Sequence, residues 1–319
     1  MKHILKLIFL ALIFLQGCQN KQQKQIIVFH AGSLSVPFKQ LASEYEKRHP
    51  DAKILLEPAG SLVCARKVTE LHKPCDILAS ADYFVINELV IPEYADWSIR
   101  FATNEMVLAY SEKSKNSEKI SSENWYDIIS AEDVIYARAD PNADPGGYRA
   151  VFTLKLAEKY YDKNGLADKV LAKDKNFMRP KEVDLIALLE SNAVDYIFIY
   201  KSVAMQHKLR YVKLPDEINL SNPGYNNLYK TVSFEITGSS SGSKMNVTGE
   251  YVNYSLTVLK NSPNSDEAID FVEFLLSPDG MEIFRKSGQD PIIPFSTEQP
   301  GLIPDKLHRY LKSPIQISI

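Results

Sequence analysis

Apolar positions along the chain fall into short continuous runs that alternate with stretches of helical spacing. Residues 26–30, 53–57 and 76–80 read as strands. The first leads into Phe38, Leu41, Ala42 and Tyr45, one face of a helix that ends near Pro50. The second runs through Pro58-Ala59-Gly60-Ser61 into another helix, and the third into Ala81-Asp82. Strand, turn and helix repeated in this way predict a parallel sheet whose ligand-facing loops lie at the strand C-termini. Residues 101–110 read as one strand that crosses into a second lobe, where 134–137 and 196–200 are further strands. Val151, Leu154, Ala157 and Tyr161 mark a helix over 148–161, and 162–176 reads as a loop. A Pro180-led helix runs through Leu189. Residues 231–236 and 251–259 read as paired strands joined by a Gly/Ser-rich loop at 238–249, the second returning the chain to the first lobe. Ala268, Phe271, Val272 and Leu275 share a helix face, a short helix follows near 280–286, and the tail after Pro291 is broken by prolines. The two crossovers divide the chain into lobe 1, residues 26–103 with 252–319, and lobe 2, residues 104–251.

The first residues stand apart. Lys2 and Lys6 precede an apolar run at 7–15, and Gln16-Gly17-Cys18 closes it in the manner of a lipobox. Residues 1–17 thus read as a lipoprotein signal peptide, Cys18 as the lipidated residue, and 18–25 as a polar tether; an uncleaved anchor is the alternative. The apolar run is too short for a comfortable membrane span. The formal net charge of −3 becomes −5 once residues 1–17 are gone, because they hold Lys2 and Lys6 and no acid. With no Lys/Arg-rich block, nucleic acid is excluded as a partner. Long-range attraction does not favour an anion either, so an anion site has to work through local dipoles. Cys64 lies in the first turns of a helix and Cys75 beyond its end. The helical residues from Cys64 to His72 would separate the thiols by about 12 Å, which leaves them unpaired.

Residues 138–150, RADPNADPGGYRA, join a strand to a helix through Pro141, Pro145, Gly146 and Gly147. Glycine amides uncovered at a helix start suit an anion, yet Asp144 sits at the turn. The loop alone leaves Asp144 open between an ordinary helix-start aspartate and a ligand. Ala31-Gly32-Ser33-Leu34-Ser35 and Pro58-Ala59-Gly60-Ser61 rhyme, each placing Gly-Ser between strand and helix. Capping by Ser33 or Ser35 and by Ser61 is one reading; two hydroxyls converging on a small anion is the other. Glu182 falls in a helix's first turn, but Arg179 stands where a capping box needs Ser or Thr. Tyr200 closes an apolar strand at the same sheet edge. Residues 238–242, GSSSG, match a hydrolase elbow in the wrong context, a Ser-rich hairpin loop. The six His show no metal-binding spacing, and His30 reads as a packed residue.

At HAGSLS (30–35), PAGSLVCARKV (58–68), CDILASADY (75–83), DPNADPGGYRAV (140–151), RPKEVDLIALLE (179–190) and DYIFIYKSVAMQH (195–207) the chain closely resembles the molybdate/tungstate-binding proteins of ABC importers, in their tungstate-binding branch. The resemblance implies a type II periplasmic binding protein fold, two α/β lobes joined by a hinge with the ligand cleft between them. It implies oxyanion contacts from Ser33 and Ser61 in one lobe, and from Asp144, Pro145, Gly146, Glu182 and Tyr200 in the other. In that branch two carboxylates, here Asp144 and Glu182, coordinate the metal of the oxyanion itself. The chain departs from the pattern in Gly146, where Cys is common, and in Cys64 and Cys75, where small residues are. Two carboxylates facing a dianion repel it unless they bond to its central atom, which W(VI) and Mo(VI) permit and sulfur(VI) does not readily. The expectation is therefore a lipid-anchored, monomeric, extracytoplasmic binding protein, with no cofactor and no enzymatic activity, that delivers tungstate or molybdate to a membrane permease. A sulfate or phosphate binder, or a secreted hydrolase using Ser33 or Ser61, are the alternatives.

Overall fold

The computed structural model describes residues 23–173, 176–238 and 242–311. Residues 1–17, Cys18, most of the tether and the centre of the GSSSG run lie outside them. Among the described residues, twelve strands and twelve α-helices form two α/β lobes. In chain order these are β1 (Lys24–Ala31), α1 (Ser35–Arg48), β2 (Ala52–Ala59), α2 (Ser61–Thr69), β3 (Ile77–Ser80), α3 (Tyr83–Leu89), β4 (Ile99–Thr103) and β5 (Met106–Tyr110). Then come α4 (Trp125–Ser130), β6 (Tyr136–Ala137), α5 (Pro145–Tyr160), α6 (Leu166–Leu171), α7 (Leu185–Glu190), β7 (Tyr196–Tyr200), α8 (Lys201–Gln206) and β8 (Arg210–Lys213). The last are α9 (Asn226–Tyr229), β9 (Ser233–Thr237), β10 (Lys244–Thr248), β11 (Asn253–Val258), α10 (Ser265–Leu276), α11 (Pro278–Lys286), β12 (Asp290–Ser296) and α12 (Asp305–His308).

A six-stranded sheet has the order β12-β4-β11-β3-β1-β2 and a four-stranded one β6-β7-β5-β8, while β10 and β9 form a two-stranded sheet of their own. The β-α-β start makes β1, β2 and β3 parallel, as expected, whereas the returning strand β11 runs antiparallel to β3 and β4. The register Ala31↔Ala59 sets the ends of β1 and β2 level, so the two Gly-Ser turns emerge side by side. In the second sheet β6 and β7 are parallel at Ala137↔Ile197, and a further bridge, Ala139↔Arg179, brings the 140–144 loop beside Pro180. The predicted apolar faces are the buried ones: Phe38, Leu41, Ala42 and Tyr45 of α1, and Ala268, Phe271, Val272 and Leu275 of α10. Around them Phe38, Phe101 and Phe284 form an aromatic knot in one lobe, and Trp125, Tyr136 and Phe198 another in its partner. Each such ring adds roughly 1.5–3 kcal/mol on burial.

Four expectations need correction. Residues 101–110 are two strands in two sheets, β4 and β5, broken at Asn104. The break is polar: the Asn104 amide donates to Ser202 Oγ (2.7 Å) and Tyr254 Oη (3.0 Å), tying the crossover to both lobes. β9 pairs with β10 and not with β11, and β10 lies inside the stretch expected to be a loop. Residues 162–176 contain α6, whose Leu166, Ala167 and Val170 are buried. Pro291 and Pro294, in the tail expected to be broken by prolines, lie within β12, at the sheet edge, where Pro is tolerated.

Cys64 and Cys75 are free and buried. The helix α2 stops at Thr69, short of His72, but each thiol has its own backbone partner: Cys64 Sγ donates to His30 O (3.6 Å) and Cys75 Sγ to Ile77 O (3.1 Å). Burial pushes the Cys64 thiol up to about 12 and Cys75 higher still, which suppresses the reactive thiolate. A soluble chain starting at Gln23 should therefore show no reactive thiol when native and two after unfolding without reductant. A mass two protons lower would reveal a disulfide and contradict this.

Candidate functional site

The side-by-side turns after β1 and β2 carry Ser33 and Ser61, both buried. Neither acts as a helix cap, contrary to the simplest sequence reading. Gly60 is the cap residue of α2 and Ser61 its first helical residue, and Ser35 Oγ donates to Gly32 O (2.7 Å). Ser61 Oγ instead accepts from the Ala81 amide (3.0 Å), and Ser33 Oγ accepts from the Tyr254 hydroxyl (3.0 Å). Each serine thus has an acceptor role filled and keeps its own proton to donate.

Across the cleft, Asp144 caps α5, with Pro145 in the first turn. Its Oδ1 accepts from Gly146 N (2.8 Å), and its carbonyl accepts from Gly147 N (2.9 Å). The glycine amides expected to lie uncovered are therefore already engaged by Asp144. Asp144 Oδ2 accepts from Glu182 N (3.2 Å), which joins the two acidic segments. Glu182 opens a 3-10 turn, Glu182–Asp184, capped by Lys181, so Pro180 lies just outside the helix and not at its head. Glu182 Oε1 accepts from Tyr200 N (2.6 Å), while Oε2 is buried without any partner. A Cβ added to Gly146 would lie 3.2 Å from Asp144 Oδ1 and 3.5 Å from the Glu182 side chain, so the glycine borders both acids. Burial pushes the Asp144 carboxyl up to about 6 against the pull of its two amides. Burial, and then the Asp144 charge, holds Glu182 well above the ordinary carboxylate range.

Tyr200, the last residue of β7, accepts at its hydroxyl from Arg149 Nη1 (2.7 Å). Burial holds its phenol well above the ordinary value, so it too has a proton to donate. Arg149 also donates to Ala81 O (2.6 Å) and pairs with Asp82 (2.9 Å), which in turn accepts from the Tyr148 hydroxyl (2.7 Å). Burial works against its charge, but Tyr200 and Asp82 outweigh that and hold the guanidinium fully ionised. Sequence reasoning missed Arg149, Asp82, Tyr148 and Tyr254. For Arg149 a signal existed: it is the one charged residue in the otherwise uncharged start of α5, PGGYRAVF, and a charge there has to be buried and paired. His30 is packed as expected, stacked on Phe38 with Nδ1 on Ala31 O.

The structure thus brings Ser33 and Ser61 to the end of one sheet, and Asp144, Pro145, Gly146, Glu182 and Tyr200 to the facing edge. Among the described residues no cluster of three His, Cys, Asp or Glu could hold a bare metal ion. The chemistry on offer is three hydroxyl protons beside two carboxylates, one of them with a free oxygen. Raised carboxyl values also fix a pH dependence. The unfolded chain ionises near the ordinary value while the folded chain holds its protons longer, so stability falls as pH rises from about 4 through 6 and beyond. The ligand-free protein should melt higher at pH 5 than at pH 8. Glu182→Gln should flatten that slope and raise the pH 8 melting temperature by roughly 2–4 °C. An unchanged profile would mean that Glu182 is not a source of this strain.

Comparison with known proteins agrees with this architecture. Residues 26–289 match the bacterial extracellular solute-binding protein family. An uncharacterized solute-binding protein of Petrotoga mobilis is 45% identical over 98% of this chain and 98% of its own length. The molybdate/tungstate-binding protein WtpA of Pyrococcus abyssi is 43% identical over 91% of this chain and 93% of its own. The periplasmic molybdate-binding protein of Azotobacter vinelandii shares the fold, with a TM-score of 0.62 at 16% identity over 83% of this chain and 98% of that one. By sequence and by its two-lobed build alike, the chain belongs to the bacterial extracellular solute-binding proteins.

Proposed function

We propose that this protein captures tungstate or molybdate outside the cytoplasm and delivers it to an ABC permease. The observation that carries this reading is Glu182 Oε2, a buried carboxylate oxygen with no partner, beside the second carboxylate of Asp144. A lone pair held out of water in this way suits a ligand with an electrophilic centre. Tungsten(VI) and molybdenum(VI) are hard, large centres that take additional oxygen donors. In this reading Asp144 and Glu182 coordinate the metal, while Ser33, Ser61 and Tyr200 donate to the oxo groups. Pro145 and Gly146 shape the wall between them, and Arg149 fixes the Tyr200 hydroxyl. The same acids repel sulfate and phosphate, which offer no open coordination position. The relatives named as molybdate/tungstate-binding proteins, at 43% and 39% identity, support the same ligand class. A hydrolase reading has less support, because Ser33 and Ser61 are hydrogen-bonded to Tyr254 and to the Ala81 amide rather than to a histidine.

The lobe division we favour is 26–103 with 252–319 against 104–251. It is supported by the sheets, since β1–β4, β11 and β12 share one and β5–β8 the other. The lobes would hinge at Asn104 and near Val252, whose carbonyl accepts from Thr103 Oγ1 (2.5 Å). We further propose a monomer held at the membrane by a lipid on Cys18, from the lipobox-like sequence. Cys18→Ser should move the protein to the soluble fraction with ligand affinity unchanged; retention in the membrane fraction would refute the anchor.

Coordination is separable from simple electrostatics. Glu182→Gln keeps the shape but removes a charged donor, so tungstate affinity should fall well over tenfold, above about 1.4 kcal/mol. If the acids only surround the ion, removing a negative charge should leave tungstate affinity flat or improved. X-ray absorption on the bound metal gives a second reading: six oxygen neighbours are expected, and four short ones alone would sink the coordination model.

A further inference from the structure

The two lobes also meet closely one residue away from the proposed ligand atoms. Gly60, immediately before Ser61, has ordinary extended backbone angles, φ −62° and ψ 143°, which any residue adopts. The reason for a glycine is therefore not conformational. A Cβ there would lie 2.3 Å from Ala143 O and 2.7 Å from Pro180 O, both backbone atoms of the opposite lobe. Ala143 immediately precedes Asp144, and Pro180 lies two residues before Glu182. Further along α2, Arg66 reaches across the same gap. Its Nη1 donates to Asn142 O (2.6 Å) and its Nη2 to Thr237 O (3.0 Å). The Val63 amide adds a longer bond to Ala143 O (3.4 Å). The Asn142-Ala143 turn is held from the other side as well, because Asn142 Oδ1 accepts from Thr237 N (2.8 Å) and Thr237 Oγ1 (3.0 Å) at the end of β9. Gly32, before Ser33, repeats the arrangement more softly: a Cβ there would meet Lys181 Cγ at 2.8 Å and Val183 Cγ2 at 3.2 Å, next to Glu182.

We propose that the start of α2 is a closing latch, in which bare Gly60 seats against Ala143 and Pro180 while Arg66 grips Asn142 and Thr237, so fixing the span between Ser61 and Asp144 and the time the ligand stays bound. The inference rests on the proposed oxyanion site. These residues are positioning residues that touch none of the ligand-facing atoms. The seat is rigid because backbone meets backbone, and close-packed contacts do not yield by an ångström. The grip is polar and reversible, with Arg66 partly solvent-exposed and steadied by Glu70 at 3.6 Å. The seat therefore sets whether the lobes close, and the grip sets how fast they reopen.

The test compares wild type, Gly60→Ala, Gly32→Ala and Arg66→Ala. Calorimetry with tungstate and molybdate, stopped-flow dissociation, and small-angle scattering with and without ion are the measurements, and circular dichroism checks folding. Ligand-free Gly60→Ala should melt as wild type does, because the added methyl clashes only with the other lobe. Its affinity for both ions should fall by at least ~100-fold, and adding tungstate should no longer shrink its radius of gyration. Gly32→Ala should lie between it and wild type, since a lysine stem can move aside. Arg66→Ala should release ion about tenfold faster with an unchanged association rate. Gly60→Ala that binds and closes like wild type would overturn the seat, and unchanged dissociation from Arg66→Ala the grip. Should Gly60→Ala fail to fold, the Arg66→Ala release rate decides alone. Wild type that binds neither ion would overturn the oxyanion reading, and this inference with it.

Discussion

A carboxylate buried with one oxygen unbonded, next to a second carboxylate, is the constraint to which the centre of this protein answers. Removing such a charge from water costs several kcal/mol unless something replaces the lost hydration. The surrounding residues replace it only in part. Amides of Gly146, Glu182 and Tyr200 serve three of the four carboxylate oxygens of Asp144 and Glu182, and nothing serves Glu182 Oε2. The nearby guanidinium of Arg149 does not fill the gap, since it is matched by Asp82 and bound to Ala81 O and the Tyr200 hydroxyl. Charge balance around the acids is thus left incomplete where completing it would have been simple. A site for a purely hydrogen-bonded anion would have put a cation or bare amides in that place.

Much of this was legible in sequence because it is written in short range. A Gly-Ser pair between strand and helix, an Asp before Pro-Gly-Gly, and a buried-strand Tyr each report a local geometry, and the structure puts all of them at facing sheet ends. What escaped is what depends on the partner lobe. Arg149 and Asp82 are separated by more than sixty residues, and neither has a reason to be buried until the other arrives. The break between β4 and β5 escaped because FATNEMVLAY reads as one run; only the Asn104 amide, bonded into both lobes, ends it. The β9–β10 hairpin was misread because its strands are largely polar and each buries only one residue, so the apolar strand β11 looked like the better partner. The serine capping role failed for a related reason. Ser61 and Ser33 have the composition of caps, but longer-range partners, Ala81 N and Tyr254, claim their oxygens first.

The register of the two sheets converts these separate motifs into one device. Ala31↔Ala59 sets Gly32-Ser33 beside Gly60-Ser61, and the Ala139↔Arg179 bridge sets the Asp144 loop beside the Glu182 turn. Each lobe therefore presents a pair of binding segments on rigid strand ends, where positions hold to a fraction of an ångström more readily than on free loops. In the structure the glycine beside each serine abuts the backbone or stem beside each acid, Gly60 on Ala143 and Gly32 on Lys181. A side chain at either glycine would hold hydroxyl donors and carboxylates apart. In the proposed latch the distance from donor to acid is set by these contacts, backbone at Gly60 and side chain at Gly32, and not by the ligand. A cleft that closes to a fixed span can distinguish an ion that accepts two extra oxygens at that span from one that only tolerates hydrogen bonds there. If Asp144 and Glu182 hold the ion as proposed, selectivity would depend also on residues that never meet it, and Gly32 and Gly60 would be as much a part of it as the two acids.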